Sequence, residues 1–177
     1  MNKPSEIVVL AEDARTRSFI RQYLYRLHYK THQIYEKIGG GEQWVRRQYA
    51  VEVREFRLRS AKAATSLVVV IDADVVGVAF RIQQLERALK ENDLLPRSGE
   101  ERILQLIPNR NIEAWILCLN GENVDENSDF KGWADLGPKV KLAAATFHKW
   151  TRRNALVPDH CCPSLKEAIP EAQRLES

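Results

Sequence analysis

Five apolar residues, Leu67-Val68-Val69-Val70-Ile71, run straight into Asp72-Ala73-Asp74. Most are β-branched and none alternates with a polar residue, which is the pattern of a strand buried on both faces in a parallel sheet. Parallel strands need crossover connections, so this run commits the chain to an α/β fold. Asp72 and Asp74 are two positions apart and point the same way if the backbone is extended. They stand at the carboxyl end of the strand, where open α/β sheets place their ligands. Two carboxylates there repel one another unless a positive group lies between them. A hard divalent cation such as Mg²⁺ (or Mn²⁺) meets that need. The plainer alternative is that Asp72 caps the next helix and Asp74 is solvated.

The rest of the chain repeats the strand–acid–helix order. Glu6–Ala11 reads as a first strand ending at Glu12-Asp13, with Asp13 as N-cap of a helix whose stripe is Phe19, Tyr23, Leu24 and Leu27. Residues 31–38 hold a second strand, and Gly39-Gly40-Gly41 forms a turn, since no Gly-Lys-Ser/Thr follows to make a Walker loop. A helix then carries Val45, Tyr49, Val53 and Phe56 on one face and Arg46, Arg47, Arg54 and Arg57 on another. Between Glu42 and Lys62 there are six basic and three acidic residues, and this basic face is either a nucleic-acid contact or a solvated helix side.

After the Asp-Ala-Asp, Val78, Ile82, Leu85 and Leu89 mark an amphipathic helix, and residues 102–107 a short strand. Asn111 is a candidate cap for a helix holding Glu113 in its first turn, with Arg110 beside it. Residues 121–137 read as a polar loop whose acids (Glu122, Asp125, Glu126, Asp129, Asp135) lack calcium-loop spacing. Val140, Ala144 and Phe147 mark a further helix, and Ser164 is a candidate cap for the last one, running to Leu175.

No repeat or linker divides the 177 residues, which suit one domain: a core over residues 6–119 and a C-terminal helical extension over 136–177. A net charge of +3 restricts any nucleic-acid surface to a local patch. There is no run of about 18 apolar residues to span a membrane and no secretion signal. Three cysteines make no disulfide framework, and His160-Cys161-Cys162 lacks the second ligand pair of a zinc site. A reducing cytoplasm is the expected location. His28 and His32 lie outside a helical context, and no nucleophile elbow is present.

What stands out is an acidic set, Glu12, Asp72, Asp74 and Glu113, each at a strand end. In this pattern the chain resembles the Toprim domain of topoisomerases, primases and related nucleases. The likeness rests on Glu12 after Glu6–Ala11, on Asp72-Ala73-Asp74 and on the helices between. Asn111-Ile112-Glu113-Ala114-Trp115 is similar to the segment after the Asp-x-Asp in small stand-alone Toprim proteins of bacterial defence loci. Those accompany ATPases related to the overcoming-lysogenisation-defect nucleases.

The resemblance implies a Rossmann-like fold and Mg²⁺-dependent chemistry on nucleic-acid phosphodiesters. It makes Glu12 an acid/base or a metal ligand, Asp72 and Asp74 the metal pair, and Glu113 a further ligand. Arg46, Arg47, Arg54, Arg57 and Arg110 would contact phosphates, with an ATPase partner or a second copy completing the assembly. Asp13 stands where the family's glutamate is usually followed by glycine. Residues 8–17 also resemble the start of a phosphoreceiver domain, although its Met-Pro-Gly and Lys-Pro signatures are missing. A non-catalytic interaction subunit is the third possibility.

Overall fold

The structure is a computed structural model, and it describes residues 5–133 and 136–175. The N-terminal Met1-Asn2-Lys3-Pro4 stretch, Asp135 and the last two residues of the C-terminal extension lie outside the described residues. The elements run β1 (Glu6–Ala11), α1 (Ala14–Arg26), β2 (Ile34–Ile38), α2 (Glu42–Ser60), β3 (Thr65–Val70), α3 (Val78–Lys90), β4 (Ile103–Leu106), α4 (Ile112–Leu119), α5 (Leu136–Trp150) and α6 (Pro163–Gln173). The strands form one all-parallel sheet in the order β2-β1-β3-β4, a Rossmann-like α/β arrangement.

The alternation of strand side chains divides the core between two faces. Val8 and Leu10 of β1, Leu67 and Val69 of β3, and Ile103 of β4 pack against Val45, Tyr49 and Val53 of α2 and Leu85 and Leu89 of α3. Ile7, Val9, Ala11, Val68, Val70, Leu104 and Leu106 face the other way, onto α1, α4, α5 and α6. The uninterrupted apolar run of β3 is thus buried on both sides, with all six of its residues inside. Phe147 of α5 is the hinge-pin of the second layer, its ring centroid 4.8 Å from that of Tyr23, 5.6 Å from Phe19 and 6.3 Å from Trp115. The C-terminal helices therefore close one face of the sheet rather than hang from it.

Several local expectations need correcting. Thr31–Gln33 is a short 3₁₀ turn, so the second strand begins only at Ile34. Helix α5 starts at Leu136, earlier than Val140, with Gly137 and Pro138 in its first turn, where a proline costs no hydrogen bond. Ser164 is not a cap: α6 starts at Pro163 with Cys162 before it. The Ser164 hydroxyl instead donates to Glu126 (2.5 Å) and accepts from Trp115 Nε1 (2.9 Å) and the Asn109 backbone N–H (3.2 Å). The glycine run is a turn with a packing reason, because a Cβ on Gly39 would lie 1.9 Å from the Trp44 ring.

Sheet edges in this fold are treated unequally. Along β4 the Gln105 N–H donates to Glu171 of α6 (2.9 Å), and Arg97 donates to the Ile103 carbonyl (2.7 Å). Side chains thereby occupy backbone groups that would otherwise offer a template for another strand. No helix among the described residues is long and apolar enough to cross a membrane.

Candidate functional site

The chain leaves β1 towards β2 on one side and returns to β3 on the other, so the order of connection reverses between β1 and β3. In open parallel sheets the crevice at the carboxyl ends beside such a reversal is the ligand site. The register pairs Ala11 with Val70, which brings Glu12 and the residues just after Val70 together at that point. Glu12 Oε1 accepts a hydrogen bond from the Asp72 backbone N–H at 2.9 Å. A side chain here continues the bonding between β1 and β3 one step beyond the strands.

Asp72 is 3% exposed and Glu12 5% exposed. Asp72 Oδ1 is buried and makes no hydrogen bond. Its carboxyl is held well above the ordinary range, first by burial and then by Glu12, Glu113, Asp13 and Asp74. Burial also pushes Glu12 up to about 7, against the Asp72 N–H that pulls it down, and Asp74 adds to the rise. Glu113, buried in the first turn of α4, is likewise raised by burial, with Arg15 Nε at 3.5 Å opposing. The four acids singled out in the sequence thus act on one field, and Asp13 joins them.

Asp74 differs from its expected placement. Its φ of +52° takes it out of extended backbone, so the two-residue spacing does not align it with Asp72. It sits at the turn into α3, half-exposed, with Arg81 Nη2 3.7 Å from its carboxylate. The Asp13 departure is also accommodated: with φ −146° and ψ 177° it is extended, a conformation that needs no glycine. Its side chain caps α1 by accepting from Thr16 N–H at 2.8 Å.

Three cations face the acids, and the sequence reading missed all of them. Arg81 is 2% exposed and donates to the Asp72 carbonyl (3.0 Å), to Glu42 (2.6 Å) and to Gln84 (2.7 Å). An arginine one turn before Leu85, on the buried side of α3, was the available signal. Lys131 lies on the loop after α4. Burial works against its ammonium, but Asp74, Asp72, Glu12 and Asp13 outweigh that and hold its pKa above the ordinary value. No sequence pattern marked it. Arg15, the third, is an ordinary surface arginine in the periodicity of α1.

The arginines of α2 do not form one free face. Arg46 bonds Glu42 (2.5 Å), Arg57 bonds Glu101 (2.6 Å), and Arg54 donates to the Asn92 carbonyl (3.2 Å). Arg46 and Arg47 line an open groove of about 420 Å³ between α2 and α3, together with Arg87, Gln84, Glu91 and Asn92. Arg110 is 3.9 Å from Asp129 and lines a separate cleft of about 300 Å³ with Asp74, Gly77, Asn109 and Asn127. Asn111 precedes α4 as expected, but its amide bonds Asp129 (2.8 Å) rather than the helix backbone.

All the donors at this edge are hard oxygens, and the orphaned Asp72 Oδ1 is a buried acceptor short of a positive partner. That chemistry fits Mg²⁺ or Mn²⁺. As placed, no three or more His, Cys, Asp or Glu side chains among the described residues form a ready-made ligand set. Comparison with known proteins returned no match among family models, curated proteins or solved structures.

Proposed function

We propose that the protein is a Mg²⁺-dependent (or Mn²⁺-dependent) Toprim-like nuclease subunit acting on nucleic-acid phosphodiesters. The observation that carries the reading is the pair Glu12 and Asp72: two buried acids at the switch point, joined by the Asp72 N–H donating to Glu12, with one Asp72 oxygen unpaired. Asp72, Asp74 and Glu12 would hold the ion, with Glu113 as a further ligand. A bound divalent ion supplies Lewis acidity to a phosphate and lowers the pKa of water. Without an ion beside it Glu12 is pushed up to about 7, so in the acid/base role, in place of a ligand's, it can take up or release a proton at neutral pH. Arg81 fixes the Asp72 backbone and restrains Asp74, while Arg110 and Lys131 would meet phosphate oxygens.

The groove lined by Arg46, Arg47 and Arg87 supports a path for a phosphate backbone away from this edge. Val75 and Val76, at the rim of the acidic edge, and Phe80, at the start of α3, are exposed apolar side chains that support a protein partner. An ATPase or a second copy of the chain is the expected partner, in the cytoplasm and in a setting such as anti-phage defence.

One observation favours a second reading, that of a non-catalytic interaction subunit. Lys131 and Arg81 already offset part of the acidic charge, as in a cluster that serves structure alone. The two part in a cleavage assay on labelled single- and double-stranded DNA and RNA with Mg²⁺ or Mn²⁺. Metal-dependent cleavage lost in Glu12→Gln and Asp74→Asn supports the nuclease. No cleavage of any of the four substrates, by the chain alone or with a co-purified partner, favours the interaction subunit. A mass gain of one phosphoryl group on Asp72 or Asp74 from a small phosphodonor would instead support the receiver resemblance.

A further inference from the structure

The chain has three cysteines, and the fold brings Cys118 beside the segment that carries the adjacent Cys161 and Cys162. Cys118 lies in the last turn of α4, while Cys161 and Cys162 lead into α6. All three are free and buried, at 0%, 4% and 2% exposure. The Cys118 thiol donates to the His160 carbonyl at 3.8 Å, immediately before Cys161-Cys162 in the chain, and the Cys161 thiol donates to the Cys162 carbonyl at 3.6 Å. His160 itself is exposed, its ring 6.4 Å from that of Trp150, so the trio sits just beneath the surface.

We propose that this trio is an oxidative modification site, at which Cys118 forms a reversible disulfide with Cys161 or Cys162 on exposure to hydrogen peroxide. Cys118 is the common neighbour, so it takes part in either bond. A link between the adjacent Cys161 and Cys162 would instead close a strained ring within the chain. The third thiol is left beside the disulfide and can exchange with it.

The chemistry balances. A thiolate of the trio attacks one peroxide oxygen, the O–O bond breaks, and a sulfenic acid and one water result. A neighbouring thiol then displaces the sulfenic hydroxyl as a second water, and an S–S bond forms. Two thiol hydrogens and two electrons pass to the peroxide. The neighbouring thiols favour loss of the first proton from Cys118 and push Cys161 and Cys162 up.

A soft metal ion is the other occupant a thiol trio suggests. Among the described residues no such group is arranged to hold one. The bond would tie the end of α4, whose first turn carries Glu113, to the start of α6, whose Ser164 bonds Trp115 and Asn109. Those contacts already exist in the reduced protein, so the disulfide would lock them.

The test is to treat the full chain with hydrogen peroxide, block remaining thiols with iodoacetamide, digest with trypsin and weigh the peptides. The expected product joins residues 111–131 to residues 154–166 and carries a single blocked cysteine; dithiothreitol should return three blocked cysteines. Cys161→Ser and Cys162→Ser should each still form the link, and the double variant should not. A several-degree rise in Tm of the oxidised protein should accompany the bond. Three blocked cysteines after peroxide, or links only between chains, would overturn the proposal. So would a link confined to residues 154–166.

Discussion

Asp72 is the residue at which stability and function oppose one another. Its carboxylate is buried with one oxygen unpaired and four other acids acting on it, a costly arrangement in the absence of a cation. Asp72→Asn keeps the shape and removes the charge. In EDTA at neutral pH this variant is expected to be more stable than the native chain by roughly 1–3 kcal/mol, measured by urea unfolding. Loss of stability would mean that Lys131 and Arg81 already satisfy the charge.

Glu12 gives the matching pH dependence. Its folded pKa of about 7 lies above the ordinary 4.5, so the folded chain holds a proton that the unfolded chain has lost between those values. Stability without metal should therefore fall as pH rises from 4.5 to 7 and level off above. The drop is at most about 3 kcal/mol for this group, with Asp72 acting in the same direction. Urea unfolding in EDTA at pH 5 and pH 8 checks the sign, and Glu12→Gln should flatten it.

These two acids were legible in the sequence because each ends an uninterrupted run of apolar residues. Asp74 was legible as a candidate but not in its geometry. Its left-handed turn is imposed by the entry into α3, which no two-residue alternation contains.

At the scale of elements, α3 does more than cover the sheet. Its inner side carries Arg81 beneath the Asp72–Asp74 turn, bonded to α2 through Glu42. Arg81→Met should cost about 1–3 kcal/mol, because it strands the buried Asp72 carbonyl and leaves Glu42 only Arg46. Arg81→Lys should recover little, since one ammonium cannot reach acceptors spread as these are around a guanidinium.

The basic side of α2 shows why charge counting overreaches. Its arginines were visible, but Glu101, to which Arg57 is bonded, and the Asn92 carbonyl, to which Arg54 donates, are tens of residues away. If α2 and α3 bind a phosphate backbone, Arg47→Glu and Arg87→Glu should each weaken it several-fold and reduce the salt slope by about 1. Arg57→Ala should chiefly lower stability, which fluorescence anisotropy beside thermal unfolding would separate.

For the whole molecule, the sequence made the parallel sheet and its two helical layers legible but not the role of the C-terminal helices. Residues 136–175 looked like an extension because their stripes say nothing of what they cover. In the fold, Phe147 packs against Phe19, Tyr23 and Trp115, and α6 shields β4 through Glu171. A chain ending at residue 133 should fail to fold, with near-ultraviolet circular dichroism lost, because it strips α5 and α6 from the core they share with α1 and α4. Lys131 reaches the acids by the same long-range closure, and so no local pattern revealed it.

The most direct single measurement is Mn²⁺ binding to the whole native chain and to Asp72→Asn, located by anomalous scattering from crystals soaked at neutral pH. A Mn²⁺ peak beside Glu12, Asp72 or Asp74 in the native protein, absent from the folded variant, is the expected result. No peak at that edge, or one that persists without the Asp72 charge, would contradict a metal centre there.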